Sequence, residues 1–126
     1  MKLQEDVKKN VEALKKIKGV EGIYLFGSSS KGKNTPISDI DICVVTGKIS
    51  KKERAEILSL GSEKMDISLF HELPIYIRFR VIGEGRPLYE KNKPVLSHIF
   101  AMTLSRYQEF RPTIRRYYEK AHGIKI

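Results

Sequence analysis

The chain has one cysteine, Cys43, in 126 residues, so no intramolecular disulfide can staple it and its stability has to come from a packed core. Its three histidines, His71, His98 and His122, lie far apart and none is paired at metal-ligand spacing, which speaks against a histidine-based metal centre. It has neither a charged-then-apolar leader nor an apolar run long enough to span a bilayer, so the expected location is the cytoplasm, with no membrane contact. Acidic charge is scarce: 15 Asp and Glu face 24 Lys and Arg, a formal net charge of +9. Residues 93–126 are basic too, with 7 basic side chains against 2 acidic ones. That balance suits an acidic protein or nucleic-acid partner, and equally a solvated lysine-rich surface. The length suits one domain with a real core and leaves no room for a separate substrate domain.

What is present is periodic. Leu3, Val7, Val11, Leu14 and Ile17 form one apolar stripe at helical spacing, predicting an amphipathic first helix capped at Gly19, with Glu5–Lys9 and Glu12–Lys16 as charge pairs on its surface. Residues 20–26 read as an apolar strand that delivers Gly27 and Ser28 at its end. Residues 39–46 read as a second strand, with Ile40, Ile42 and Val44 opposite Asp39, Asp41 and Cys43. Ser50 followed by Glu53 predicts a capping box and a short helix before Gly61. A third strand over 65–70 puts Asp66, Ser68 and Phe70 on one face and Met65, Ile67 and Leu69 on the other.

Residues 73–82 alternate as an edge strand would, but Pro74 near the start favours a helix. A short strand at 86–89 and a long helix opened by Pro94 complete the chain. That last helix has apolar residues over more than one face. Its first half is expected to bury both sides within the molecule, and the stretch beyond Pro112, with Arg111, Arg115, Arg116, Tyr117 and Tyr118, is left open for a second subunit or a partner.

The chemistry concentrates in Gly27-Ser28-Ser29-Ser30-Lys31-Gly32 and, seven residues on, Asp39-Ile40-Asp41. Glycine lets a phosphate approach the backbone closely, and the amides of such a turn point outward to meet it. Carboxylates at alternate strand positions share a face, and Asp66 adds a third from another strand, a hard-oxygen set suited to magnesium. An isolated Asp-x-Asp reads as a strand end with solvated acids. The order strand, Gly-Ser loop, acidic strand, helix, acidic strand is what carries the signal.

In these residues the chain resembles the nucleotidyltransferase superfamily that includes DNA polymerase β, and within it the minimal nucleotidyltransferases. Gly27, Ser28 and Gly32 fill the loop pattern, Ser38-Asp39-Ile40-Asp41 the acidic strand, and Asp66 the later acid; the resemblance runs from about Val20 to the Gly85-Arg86-Pro87-Leu88-Tyr89-Glu90 tail. It departs inside the loop, where Ser29, Ser30 and Lys31 replace a more common Arg-or-Tyr and Ala-Arg, leaving the nucleotide preference open.

The resemblance implies an α/β (α+β) nucleotidyltransferase fold, a mixed β-sheet flanked by helices, with residues 1–92 as catalytic core and 93–126 as a C-terminal helical extension. It implies Asp39, Asp41 and Asp66 as catalytic residues and ligands of two Mg2+ ions, and Gly27, Ser28, Ser29, Gly32 and Ser38 as contacts for ATP. Asp66 is the candidate general base, and Lys31 or Lys33 would neutralise the leaving pyrophosphate. Small members of the superfamily resemble the antitoxin half of toxin–antitoxin modules, which implies transfer of AMP to a tyrosine of a HEPN-type toxin. A small-molecule acceptor, a non-catalytic module binding protein or nucleic acid, and a homo-oligomer are the alternatives.

Overall fold

The computed structural model describes residues 2–26 and 40–122. In chain order they form α1 (Lys2–Lys15), β1 (Val20–Phe26), β2 (Ile40–Thr46), α2 (Lys51–Ser59), β3 (Met65–Leu69), a 3-10 turn at Phe70–Glu72, α3 (Ile75–Glu84), β4 (Arg86–Glu90) and α4 (Lys93–His122). The strands make one mixed sheet in the order β3-β2-β1-β4, with β2 and β3 parallel and the other two pairs antiparallel. The parallel pair needs a crossover, and α2 supplies it.

Strand alternation sorts the side chains into two cores. Ile40, Ile42 and Val44 of β2 and Met65, Ile67 and Leu69 of β3 pack with Val11 and Leu14 of α1 and Ile57 of α2. On the other face Tyr24, Cys43 and Val45 pack with Phe70, Val81 of α3 and Leu96 of α4. The sheet is thus covered on both faces, and the β2 residues from Ile42 to Val45 alternate between the two cores.

Local signals hold with small corrections. The apolar stripe of α1 is buried at Val11 and Leu14, but the helix stops at Lys15 and Gly19 does not cap it. Gly19 instead takes φ +96° in the turn into β1, where its carbonyl accepts from the Gly47 amide at 2.9 Å and a Cβ would lie 2.5 Å from Ile49 Cγ2. Glu12 pairs with Lys15 at 3.1 Å, one position short of the expected Lys16. The capping box forms as expected: Ser50 Oγ accepts from the Glu53 amide at 3.1 Å, and Glu53 Oε1 from the Ser50 amide at 2.9 Å.

The 73–82 segment is helical, with Pro74 as N-cap at φ −55° and the helix placed slightly later, at Ile75–Glu84. Pro74 has no amide to donate to a strand partner, and its fixed φ suits a helix entry. Phe70, expected at the end of β3, starts the 3-10 turn instead.

α4 has 30 residues and is about 45 Å long, roughly twice the span of a seven-residue strand. It is seated on β1 at Gly22, where a Cβ would meet Leu96 Cδ2 at 2.9 Å, so the absence of a side chain there lets the helix approach the sheet. Leu96, Thr103 and Tyr107 turn inward and are buried. Val95, Met102 and Leu104 stay exposed, so the first half of α4 does not bury all its apolar residues within the molecule, contrary to expectation. No helix among the described residues is long and apolar enough to cross a membrane.

Candidate active site

Asp41 and Asp66 are register partners across the parallel β2–β3 pair. Neighbouring strands run about 4.8 Å apart, and partners in register send their side chains to the same face, so the two carboxylates stand side by side. Their flanking residues fix that face: Ile40 with Met65, and Ile42 with Ile67, are the adjacent partner pairs and are buried in the α1–α2 core. The acids therefore point to the α3–α4 side, at the ends where both strands begin. Asp66 is exposed and Asp41 partly so, as a site that admits a bulky anionic substrate requires.

β1 runs antiparallel to β2 and its last residue, Phe26, is the partner of Asp41. The chain thus leaves β1 and enters β2 at the edge that holds the acids. Gly27, Ser28, Ser29, Gly32, Ser38 and Asp39, together with Lys31 and Lys33, belong to the segment joining those two ends and lie outside the described residues. Of the sequence-predicted site residues, then, the structure brings Asp41 and Asp66 together.

Behind the acids the site is dry and inert. Cys43 is fully buried, and burial pushes its thiol up to about 12, so it stays a protonated core side chain and not a nucleophile. Ser68, its partner on β3, is half-buried. Tyr24 donates its hydroxyl to Glu90 Oε2 at 2.8 Å and packs edge-on to Phe100. Burial, and then the hydrogen bond and charge of Glu90, raise the Tyr24 pKa well above its ordinary value. This Tyr24–Glu90 link ties β1 to the end of β4, and no local pattern announced it.

Other polar side chains on this side of the sheet engage different partners. His71 Nε2 lies 3.2 Å from the Thr46 carbonyl, at the opposite end of β2 from Asp41. Arg80 pairs with Glu84 at 2.9 Å, and Arg78 donates Nε to the Leu73 carbonyl at 3.0 Å, beyond the far end of β3. One Arg78 nitrogen is thus engaged by the Leu73 carbonyl, and its terminal nitrogens are not. Among the described residues no group of three His, Cys, Asp or Glu is placed to hold a metal. Asp41 and Asp66 are a two-carboxylate donor set, and hard oxygens of this kind fit magnesium when substrate phosphates and a further acid complete the shell.

Residues 8–94 match the family model described as polymerase beta, nucleotidyltransferase. Over 81 residues the chain is 36% identical to a Methanocaldococcus jannaschii protein named as a candidate protein adenylyltransferase, covering 64% of this chain and 65% of that one. The chain therefore spans just under two thirds of that relative's length. Among solved structures it is similar to a toxin–antitoxin crystallised with AMP-PNP, at TM-score 0.69 and 24% identity over 92% of this chain and 95% of that one. It is also similar to a complex of tri-AMPylated Shewanella oneidensis HEPN toxin with MNT antitoxin, at TM-score 0.68 and 23% identity over 93% of this chain and 96% of that one. At these identities the likeness to solved structures speaks for the fold. The in-register acids, the mixed sheet and the family match over most of the chain agree, and the chain belongs to the polymerase β-type nucleotidyltransferase family.

Proposed function

We propose that this chain is a magnesium-dependent adenylyltransferase that moves AMP from ATP to a tyrosine hydroxyl of a HEPN-type toxin and so acts as its antitoxin. The observation that carries the reading is the Asp41–Asp66 pair, held in register on one face at the edge where the glycine-loop segment departs. The similar proteins support the direction: one is named as a candidate protein adenylyltransferase, and another is an antitoxin bound to an AMPylated toxin.

In this reading the Gly27-Ser28 turn takes the β and γ phosphates of ATP, with Ser29, Gly32 and Ser38 lining the same nucleotide site. Asp39, Asp41 and Asp66 hold magnesium, which when bound offsets phosphate charge and acidifies an acceptor hydroxyl. Asp66, the more exposed acid, accepts the tyrosine proton. The phenolic oxygen then bonds to the α-phosphorus as the bond to the pyrophosphate oxygen breaks, leaving AMP on the tyrosine and pyrophosphate in solution.

Incubation of the purified chain with α-labelled ATP, magnesium and a HEPN-type protein from the same source tests the reading. Label should pass to the partner, survive denaturation, and disappear with Asp41→Asn or with a Tyr→Phe acceptor. Full protection of cells against the toxin by a transfer-dead variant would overturn catalysis as the mode of neutralisation.

A further inference from the structure

The α3–α4 junction holds a feature that nucleotide transfer does not use. The rings of Phe79 and Tyr107 stack at 4.1 Å with only 7° between their planes, which locks one face of α3 to one face of α4. Tyr107 is buried, but Phe79 is 38% exposed, so the stack shows an aromatic face to solvent. The residues just before the stacked pair are both arginines, Arg78 and Arg106, and the charge of Arg106 is felt at the Arg78 guanidinium.

The arginines repel each other, and neither is neutralised. Arg78 is partly buried and its Nε is spent on the Leu73 carbonyl at 3.0 Å, which leaves its terminal nitrogens for something else. Desolvation and the charge of Arg106 both lower its pKa, the mark of a cation held near a like charge without compensation. Neither guanidinium pairs with a carboxylate among the described residues: the ion pair on α3 is Arg80–Glu84, and Glu109, one turn beyond Arg106, is exposed with no ion pair to it. Leu104 adds an exposed apolar side chain on α4 beside this cluster in sequence.

Exposed aromatic surface next to unpaired arginines is the composition that concentrates binding energy at protein interfaces, because a carboxylate met by two guanidinium groups gains strong charge-assisted hydrogen bonds. We propose that Phe79, Arg78 and Arg106 form the docking surface for the acceptor protein, which presents an acidic side chain to the two arginines and an apolar one to Phe79. Charge complementarity selects this occupant: the chain is strongly basic, and the cluster supplies two positive charges that form no ion pair among the described residues. Its residues belong to α3 and α4 and not to the β2–β3 edge that carries Asp41 and Asp66, so the surface holds the acceptor without using either acid. The assignment rests on the reading that the acceptor is a protein.

Calorimetric titration of the purified HEPN-type partner into the full chain tests it, with Arg106→Glu, Arg78→Gln and Phe79→Ala beside Asp66→Asn. Each of the first three should weaken binding by about tenfold or more, with Arg106→Glu also flattening the salt dependence, while ATP affinity stays unchanged. Asp66→Asn should bind the partner normally and transfer nothing. Arg106 is exposed, so its variant keeps the fold, and a matching melting curve checks this. Wild-type partner affinity in Arg106→Glu and Phe79→Ala would overturn the docking surface while leaving transfer intact. ATP binding with no partner complex in the wild-type chain would overturn the protein-acceptor reading and the surface with it.

Discussion

Asp66→Asn should make the protein slightly more stable and nearly inactive, two effects with one electrostatic cause. Asp41 and Asp66 are register partners on adjacent strands, so their carboxylates carry like charges about 5 Å apart. At that distance, and in the high dielectric appropriate to an exposed side chain, the repulsion is about 0.8 kcal/mol. Replacing Asp66 by the isosteric amide removes it. With side-chain volume unchanged, and the position exposed, no packing loss offsets the gain. The expected result is a metal-free melting temperature higher by about 3–5 °C.

Magnesium should reverse the order. Wild-type protein gains stability when the cation neutralises the pair, and the variant, with one carboxylate fewer, gains less. Transfer should meanwhile fall by about 100-fold to 10,000-fold, the usual range for losing a general base. Differential scanning calorimetry with EDTA and then with magnesium and ATP, run beside a labelled-AMP transfer assay, reads all three quantities. A variant less stable than wild type without metal, or one that transfers AMP at the wild-type rate, would refute the pairing of these two acids as the site.

Alkaline pH should destabilise the fold through its buried acids. The Cys43 pKa is raised from 9.0 to about 12 and the Tyr24 pKa is raised as well, so both contribute stability that is complete below their unfolded values and is lost as pH climbs toward the folded ones. Melting temperatures should fall steadily above about pH 9, and Cys43→Ala should flatten the pH 9–11 part of that fall even though it lowers the value at pH 7. Gly22→Ala should cost about 1–3 kcal/mol in urea unfolding, because the new methyl sits 2.9 Å from Leu96 Cδ2 and 3.0 Å from Tyr24 Cε2 and forces α4 off the sheet. Ser50→Ala should cost about 1 kcal/mol, measured the same way, by leaving the Glu53 amide without its cap.

Features decided by neighbours along the chain were legible in the residues alone. The capping box is a three-residue reciprocal bond, and the faces of β2 and β3 follow from strict alternation, which assigned Asp41 and Asp66 to one side and Ile42 and Ile67 to the other. Contacts between distant residues were not legible. Tyr24 meets Glu90 only because β4 folds back along β1, and Phe79 finds Tyr107 only because Gly22 sets where α4 lies. Helix-surface charges are also undetermined by spacing, since the helix ends at Lys15 and Glu12 pairs with that residue and not with Lys16 beyond it. The candidate site shows the same division. Alternation set Asp41 and Asp66 each on the face opposite its apolar neighbours, whereas the register that makes them partners depended on how β3 docks beside β2.

The parallel pairing of β2 with β3 also acts as a check on assembly. A slip of β3 by one position would carry Asp66 into the apolar layer under α1 and α2 and turn Met65 and Ile67 out of that layer. A chain that misplaces its second carboxylate would therefore lose its core as well. The same register that packs the core therefore keeps the two acids abreast.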